Sequence, residues 1–228
     1  MTITTCVFDA YGTLFDVSAA ARTAAVEPEN AALADSWQDL SAHWRAKQLQ
    51  YTWLRAVTGD HTDFWSVTQD GLDWAMEAVG LTDARLRDRL MALYWELSAY
   101  PEVPEMLKAL KSAGLATAIL SNGSPNMLEA AVASAGIGDQ LDAVLSVESV
   151  GVFKPDARVY NLVEERFGTD RSHVLFVSSN GWDAACATAY GFSTAWVNRA
   201  GEPLDRLPGR PAIVLRDLTP IPDLAAEM

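Results

Sequence analysis

Asp9 closes a short apolar run, Thr5-Cys6-Val7-Phe8, and opens the tight turn Ala10-Tyr11-Gly12-Thr13. An ionised carboxylate in that position is either a turn cap or an aimed nucleophile. Two residues on stands Tyr11, not a second carboxyl able to serve as an acid. A nucleophile without such an acid suits a leaving group that departs as a stable anion, such as a halide. Three further polar clusters accompany apolar runs. Ser121-Asn122-Gly123 follows Ala118-Ile119-Leu120, and Ser178-Ser179-Asn180-Gly181-Trp182-Asp183 follows Val174-Leu175-Phe176-Val177. The last is Phe153-Lys154-Pro155-Asp156, just ahead of a helical stretch.

Each of these residues also has a plain structural use. Asp9 and Thr13 can cap a turn, and Ser121 and Asn122 can cap the helix after Pro125. Lys154 can be a solvated lysine, Asp183 can compensate a helix dipole, and Tyr160 can serve packing alone. Their joint appearance at four strand ends is what argues for a site.

The elements that must bring them together are visible in the texture of the chain. Residues 17–97 show helical spacing with little strand signal, and hold Trp37, Trp44, Trp53, Trp65, Trp74 and Trp95, six of the eight tryptophans. That is aromatic surface enough for a helical subdomain with its own core. Asn30, Asp63 and Asp83 read as helix starts, Gly59 and Gly80 as stops. From residue 105 the pattern alternates. Helices are predicted at 105–112, 125–135 (Ser124 as cap, Pro125 in the first turn), 157–167 and 181–190. Strands are predicted at 116–120, 143–146, 174–177, 193–197 and 213–215. Short apolar strands alternating with helices predict an α/β fold, a Rossmann-like parallel sheet covered on both faces. The expected division is a core of residues 1–16 and 98–228 and an inserted helical-bundle cap of residues 17–97 over the sheet's carboxyl edge, where such folds bind ligands. Residues 221–228 carry no functional signal.

The 228 residues are half apolar, with Lys and Arg numbering 17 against 30 Asp and Glu, a net charge of −13. That surface repels nucleic acid and anionic lipid, so an anionic substrate must be drawn in by local cations. Cys6 and Cys186 are too few for a disulfide scaffold and read as small apolar side chains in a reducing compartment. No secretory pattern opens the chain and no apolar run approaches the ~20 residues that span a bilayer. The expected location is the cytoplasm, with no membrane and no nucleic-acid partner.

The chain resembles the haloacid dehalogenase superfamily and, within it, the L-2-haloacid dehalogenases. The resemblance rests on Phe8-Asp9-Ala10-Tyr11-Gly12-Thr13-Leu14, the stretch Trp44-Arg45-Ala46-Lys47-Gln48-Leu49-Gln50-Tyr51-Thr52-Trp53, Ser121-Asn122-Gly123, Phe153-Lys154-Pro155 with Tyr160, and the turn from Ser178 to Asp183. The pieces come in the family's order and span almost the whole chain. The resemblance implies Asp9 as nucleophile, with Thr13, Ser121, Lys154, Tyr160, Ser178, Asn180 and Asp183 as functional partners. It implies a halide-cradling Arg45 on the cap, an apolar pocket of Tyr11, Leu49, Phe64 and Trp182, and a homodimer. Phe64 is the loosest correspondence, because cap spacing varies. Ala46 replaces a longer polar side chain common among relatives and could enlarge the pocket; Gln50 stands where Glu is common.

The residues make chemical sense in those roles. Asp183 is expected to bring a second negative charge near Asp9, which Lys154 and Arg45 would offset while holding an incoming carboxylate. Ser121, with the backbone amides near Tyr11 and Asn122, can fix that carboxylate for in-line attack. Arg45 and Leu49 share a helix face, a cation beside an apolar group that suits a weakly hydrated halide. The expected reaction converts a small L-2-haloalkanoic acid to the D-2-hydroxyacid and halide through an ester on Asp9. Asp183, positioned by Asn180 and Lys154, then activates water. Neutral Ser179 stands four before Asp183, where magnesium-dependent phosphatases of the superfamily place acidic ligands, so neither metal nor cofactor is expected. The rivals are such a phosphatase, which would release phosphate and need magnesium, and a non-catalytic binding module, which would tolerate Asp9→Asn.

Overall fold

Thr5–Phe8 forms the first strand, β1, and all four of its residues are buried. In the computed structural model, which describes residues 2–228, β1 is central to a six-stranded parallel sheet. The others are β2 (Ala116–Ser121), β3 (Ala143–Ser146), β4 (Val174–Ser178), β5 (Ser193–Val197) and β6 (Ile213–Leu215), in the order β3-β2-β1-β4-β5-β6. β1 pairs in parallel with β2 (Phe8 beside Ile119) and with β4 (Phe8 beside Val177). The chain therefore reverses its direction of winding between β1 and β4. At such a switch point two loops part and leave a crevice at the carboxyl edge. Asp9 follows β1 directly, and its neighbours are the ends of β2 and β4.

Four helices intervene between β1 and β2: α1 (Ala19–Ala25), α2 (Trp37–Thr58), α3 (Phe64–Ala78) and α4 (Ala84–Trp95). They form a helical cap, in which α2 packs on α3 and α1 on α4. The two chain segments joining cap to core run side by side. Asp16 N donates to Ser98 O at 3.1 Å, and Tyr100 N to Leu14 O at 2.9 Å. The core helices are α5 (Val103–Ser112), α6 (Pro125–Ala135), α7 (Ala157–Phe167), α8 (Gly181–Tyr190) and α9 (Ile221–Glu227).

The expected α/β class, strand set and cap are all present, with local differences. Asp63 and Asp83 cap α3 and α4, accepting from Ser66 N at 2.7 Å and Arg85 N at 2.9 Å. Asn30 does not start a helix. It lies inside the 3-10 turn Pro28–Leu33, where its amide donates to Ala24 O and Glu27. Ser124 occupies the N-cap position of α6 but makes no side-chain cap bond. α5 begins at Val103, two residues ahead of the expected 105, with Pro104 in its first turn.

Among the described residues no helix is long and apolar enough to cross a membrane. Cys6 is buried in β1 and Cys186 half-buried on α8, both unpaired. Burial pushes the Cys6 thiol up to about 12.

Candidate active site

The turn after β1 sets the centre. Ala10 O accepts the backbone amides of Thr13, Leu14 and Phe15, a compact loop that Gly12 permits with φ of +89°. This turn aims Thr13 Oγ1 back at Asp9 Oδ2, 3.0 Å away. The same oxygen accepts from Asn180 Nδ2 at 2.9 Å, and Ser178 Oγ lies 3.5 Å from it. Ser179 N in turn donates to Thr13 Oγ1 at 2.8 Å, so the loop after β4 locks the turn after β1.

Lys154 joins the two carboxylates. Its ammonium is 3.2 Å from Asp9 Oδ1 and 2.8 Å from Asp183 Oδ2, and it is 1% exposed. The lysine is thus no solvated side chain. Its backbone N is held at 2.9 Å by Asn122 Oδ1, which ties the segment before α7 to the end of β2. Asn122 therefore anchors Lys154 rather than capping α6, and Ser121 Oγ accepts from Gly123 N at 3.0 Å, also inside the loop. Asp183 is fully buried and accepts from Tyr160 Oη at 2.7 Å through Oδ1. Burial raises its proton affinity and Asp9 adds to this, against the opposing pull of Lys154 and Tyr160. Burial alone would depress Lys154; Asp183 and Asp9 together hold it above the ordinary lysine value and so charged. Burial keeps the Tyr160 and Tyr11 phenols well above their usual range, hence protonated.

The cap reaches this centre through Arg45 on α2. Its Nη2 donates to Tyr11 O and to Asn180 Oδ1, each at 3.1 Å, and its Nη1 to Gln48 Oε1 at 2.9 Å. Asn180 is thereby a bridge, its amide on Asp9 and its carbonyl on Arg45. Tyr11 stacks on Tyr94 (5.8 Å, 14°) and lies 5.6 Å from the Phe64 ring, so Phe64 packs beside Tyr11. Leu49 is half-buried one turn after Arg45, and Trp182 packs edge-on against Trp53 of the cap at 5.4 Å. The buried Trp182 Nε1 has no hydrogen-bond partner. Ala46 and Gln50 are exposed on α2, away from the buried centre.

All fourteen expected residues lie on the strand ends, loops and helices around the β1–β4 crevice. Gln48, Tyr94 and Gly123 also belong there; Gln48 and Gly123 stand inside the quoted motifs with no role assigned, and Tyr94 stands in none of them. A signal for Gln48 existed: it is the one carboxamide in the buried row Leu40, Trp44, Gln48, Thr52 of α2. A separate cleft of about 890 Å³ outside α7 and α8 shares only Tyr160 with the site.

A divalent cation does not fit this donor set. The carboxylates of Asp9 and Asp183 already share the Lys154 ammonium, the position four before Asp183 is neutral Ser179, and the described residues hold no group of three or more His, Cys, Asp or Glu arranged for a metal.

The family model for haloacid dehalogenase-like hydrolases matches residues 3–191. The (S)-2-haloacid dehalogenase of Pseudomonas sp. strain YL is 46% identical over 201 residues, 88% of this chain and 84% of that protein. The chain belongs to the L-2-haloacid dehalogenases of the haloacid dehalogenase superfamily. The (S)-2-haloacid dehalogenase 4A of Burkholderia cepacia is 44% identical over 87% of this chain and 84% of its own length. The solved L-2-haloacid dehalogenase from Xanthobacter autotrophicus with chloropropionic acid covalently bound superposes with a TM-score of 0.89, at 37% identity, covering 100% of both chains. Asp9 and its surroundings are thus the candidate active site of an L-2-haloacid dehalogenase.

Proposed function

We propose that this protein hydrolyses small L-2-haloalkanoic acids to D-2-hydroxyacids and halide through an aspartyl ester. The observation that carries the reading is Asp9 itself. One oxygen is pinned by Thr13 and Asn180, the other faces only Lys154, and Asn180 links the carboxylate to a cap arginine.

The less encumbered Oδ1 is the attacking atom. The substrate carboxylate is held by Ser121, whose hydroxyl accepts from Gly123 N and keeps its own hydrogen to donate, by the backbone amides of Tyr11 and Asn122, and by Lys154. Tyr11, Leu49, Phe64 and Trp182 enclose the alkyl part. Oδ1 attacks C2 from the side opposite the halogen, and the carbon–halogen electron pair leaves with the halide toward Arg45. Charge grows on the halide only in the transition state, so the arginine lowers the barrier more than it tightens ground-state binding. No proton is needed, which is why Tyr11 can replace an acid.

The ester is then hydrolysed at Asp9 Cγ. Asp183 accepts only two bonds, and a carboxylate has about four lone-pair sites, which leaves room for a water's proton. Its raised proton affinity makes it a better base than an ordinary aspartate. As water adds, negative charge collects on Oδ2, where the hydroxyls of Thr13 and Ser178 and the Asn180 amide already converge. Asp183 returns its proton to the departing hydroxyacid oxygen, and the second water proton goes to solvent with the halide. The water's oxygen stays in Asp9.

Chloride release from each enantiomer of 2-chloropropionate, with and without excess EDTA, tests the proposal. Turnover of the L enantiomer alone, unchanged by EDTA, is expected; turnover of phosphoglycolate that requires magnesium defeats it. We also assign residues 1–16 and 98–228 to the core and 17–97 to the cap. Pairing into a homodimer is supported by Leu54 and Val57, exposed at 54% and 86% near the end of α2, and light scattering measures it. A cytoplasmic location is supported by the two unpaired cysteines.

A further inference from the structure

Gln48 is 1% exposed, on the α2 row that faces the rest of the cap. A buried carboxamide is costly unless its donors and its acceptor are met. Here they are met by three helices. Nε2 donates to Thr68 Oγ1 of α3 at 2.7 Å and lies 3.0 Å from Tyr94 Oη of α4. Oε1 accepts from Arg45 Nη1 at 2.9 Å and lies 3.3 Å from the same tyrosine hydroxyl.

The orientation of the amide follows from its neighbours. The single hydrogen of Thr68 Oγ1 is committed to Phe64 O at 2.7 Å, so toward Gln48 that hydroxyl can only accept. The NH₂ end must face Thr68, which leaves the carbonyl for the guanidinium. Trp44 Nε1 donates to Thr68 O at 2.8 Å and reinforces the same turn of α3. The void lined by Trp44, Arg45, Gln48 and Tyr94 measures about 10 Å³, the space of one water, so no substrate reaches Gln48.

We infer that Gln48, backed by Thr68 and Tyr94, is a positioning residue that sets the Arg45 guanidinium for the departing halide; the inference rests on the role proposed above for Arg45. Arginine is long and rotamer-rich, and its contribution to a transition state depends on being in place beforehand. Tyr11 O and Asn180 hold one terminal nitrogen and Gln48 holds the other. Tyr94 adds a second link, since its ring stacks on Tyr11 while its hydroxyl meets Gln48.

The test compares L-2-chloropropionate with L-2-bromopropionate, because chloride is the poorer leaving group and needs the arginine more. Gln48→Met keeps the side chain's length and removes its polar end. We expect kcat for the chloro substrate to fall about 10- to 100-fold with KM within about 3-fold, and the bromo substrate to lose several-fold less. Tyr94→Phe, which keeps the ring, should shift the chloro/bromo ratio in the same direction by less, and carries the test if Gln48→Met does not fold. In an Arg45→Lys background neither change should move the ratio further, as expected of groups that act through one arginine. Equal losses on both substrates, no loss, or effects that multiply with Arg45→Lys overturn the inference. If Arg45→Lys itself leaves the ratio unchanged, the halide role of Arg45 fails first, and the role of Gln48 falls with it.

Discussion

Asp9 and Asp183 are both aspartates, yet in the reaction proposed above their surroundings divide the labour between them. Asp9 is tethered at the mouth of the crevice, while Asp183 is sealed beneath it against Lys154 and Tyr160. Asp9→Asn should form no ester and release no halide. Asp183→Asn should attack once and stall, and mass spectrometry of a proteolytic digest after exposure to L-2-chloropropionate should find an adduct on the Asp9 peptide of that variant alone. In that proposal Tyr160 tunes the base. Its hydrogen bond favours the ionised form of Asp183, so Tyr160→Phe should raise an already elevated proton affinity. Asp183 must be ionised to take a proton from water, and activity is lost as pH falls through its pKa. The acid limb of kcat should therefore move to higher pH in Tyr160→Phe, as a pH–rate profile would register; a limb that moves down contradicts the assignment of base.

At the scale of elements, the site depends on how closely loops from different strands approach. Gly123 ends the β2 loop directly under the Tyr11 ring. A Cβ there would sit 2.7 Å from Tyr11 Cε2 and 3.0 Å from Leu128 Cδ2. Gly123→Ala should therefore displace the ring and destabilise the fold by ~1–3 kcal/mol, the usual cost of overpacking. Urea unfolding measures the loss, and a raised KM for L-2-chloropropionate should accompany it because Tyr11 is proposed to line the pocket. The loop after β4 is held as tightly: Trp196 Nε1 donates to Ser179 O at 3.1 Å, and Asn180 N to Ser178 Oγ at 3.1 Å. Arg199, after β5, donates to Thr13 O at 3.2 Å and to Glu102 at 2.8 Å, which fastens the nucleophile turn to the start of α5 where the chain returns from the cap.

The whole molecule sets a field that opposes its own substrate. A net charge of −13 repels a haloalkanoate, and only Arg45 and Lys154 among the site groups attract it. Raising ionic strength with a non-halide salt from about 10 mM to 150 mM shortens the Debye length to about 8 Å, which screens the distant surface more than the buried lysine. The value of kcat/KM for L-2-chloropropionate should therefore rise over that range; a fall would mean that local cations dominate the approach. The cap matters here too, because its Arg45 completes the centre only while the paired segments at 14–16 and 98–100 hold cap and core in register.

The amino-acid sequence by itself determined the local elements. Asp63 and Asp83 cap the helices they precede, and strands of short apolar runs form the parallel sheet, because caps and periodicity act within a few residues of one another. The motif residues were legible as well, since the turn chemistry around Asp9 and the polar run from Ser178 to Asp183 are contiguous in the chain. Tertiary structure decided the rest. Asn30 can accept at a helix start or donate to a carbonyl, and packing chose the second. Lys154 is 145 positions from Asp9, and only the pairing of β1 with both β2 and β4, with Asn122 at the end of β2 holding the lysine's backbone, turns an ordinary lysine into the shared counter-ion of two carboxylates. Gln48 stands at four-residue spacing between Trp44 and Thr52, and only the closing of three cap helices around it joins it to Arg45. A contact energy between groups so distant in sequence depends on where the backbone puts them, and no spacing rule along the chain encodes that.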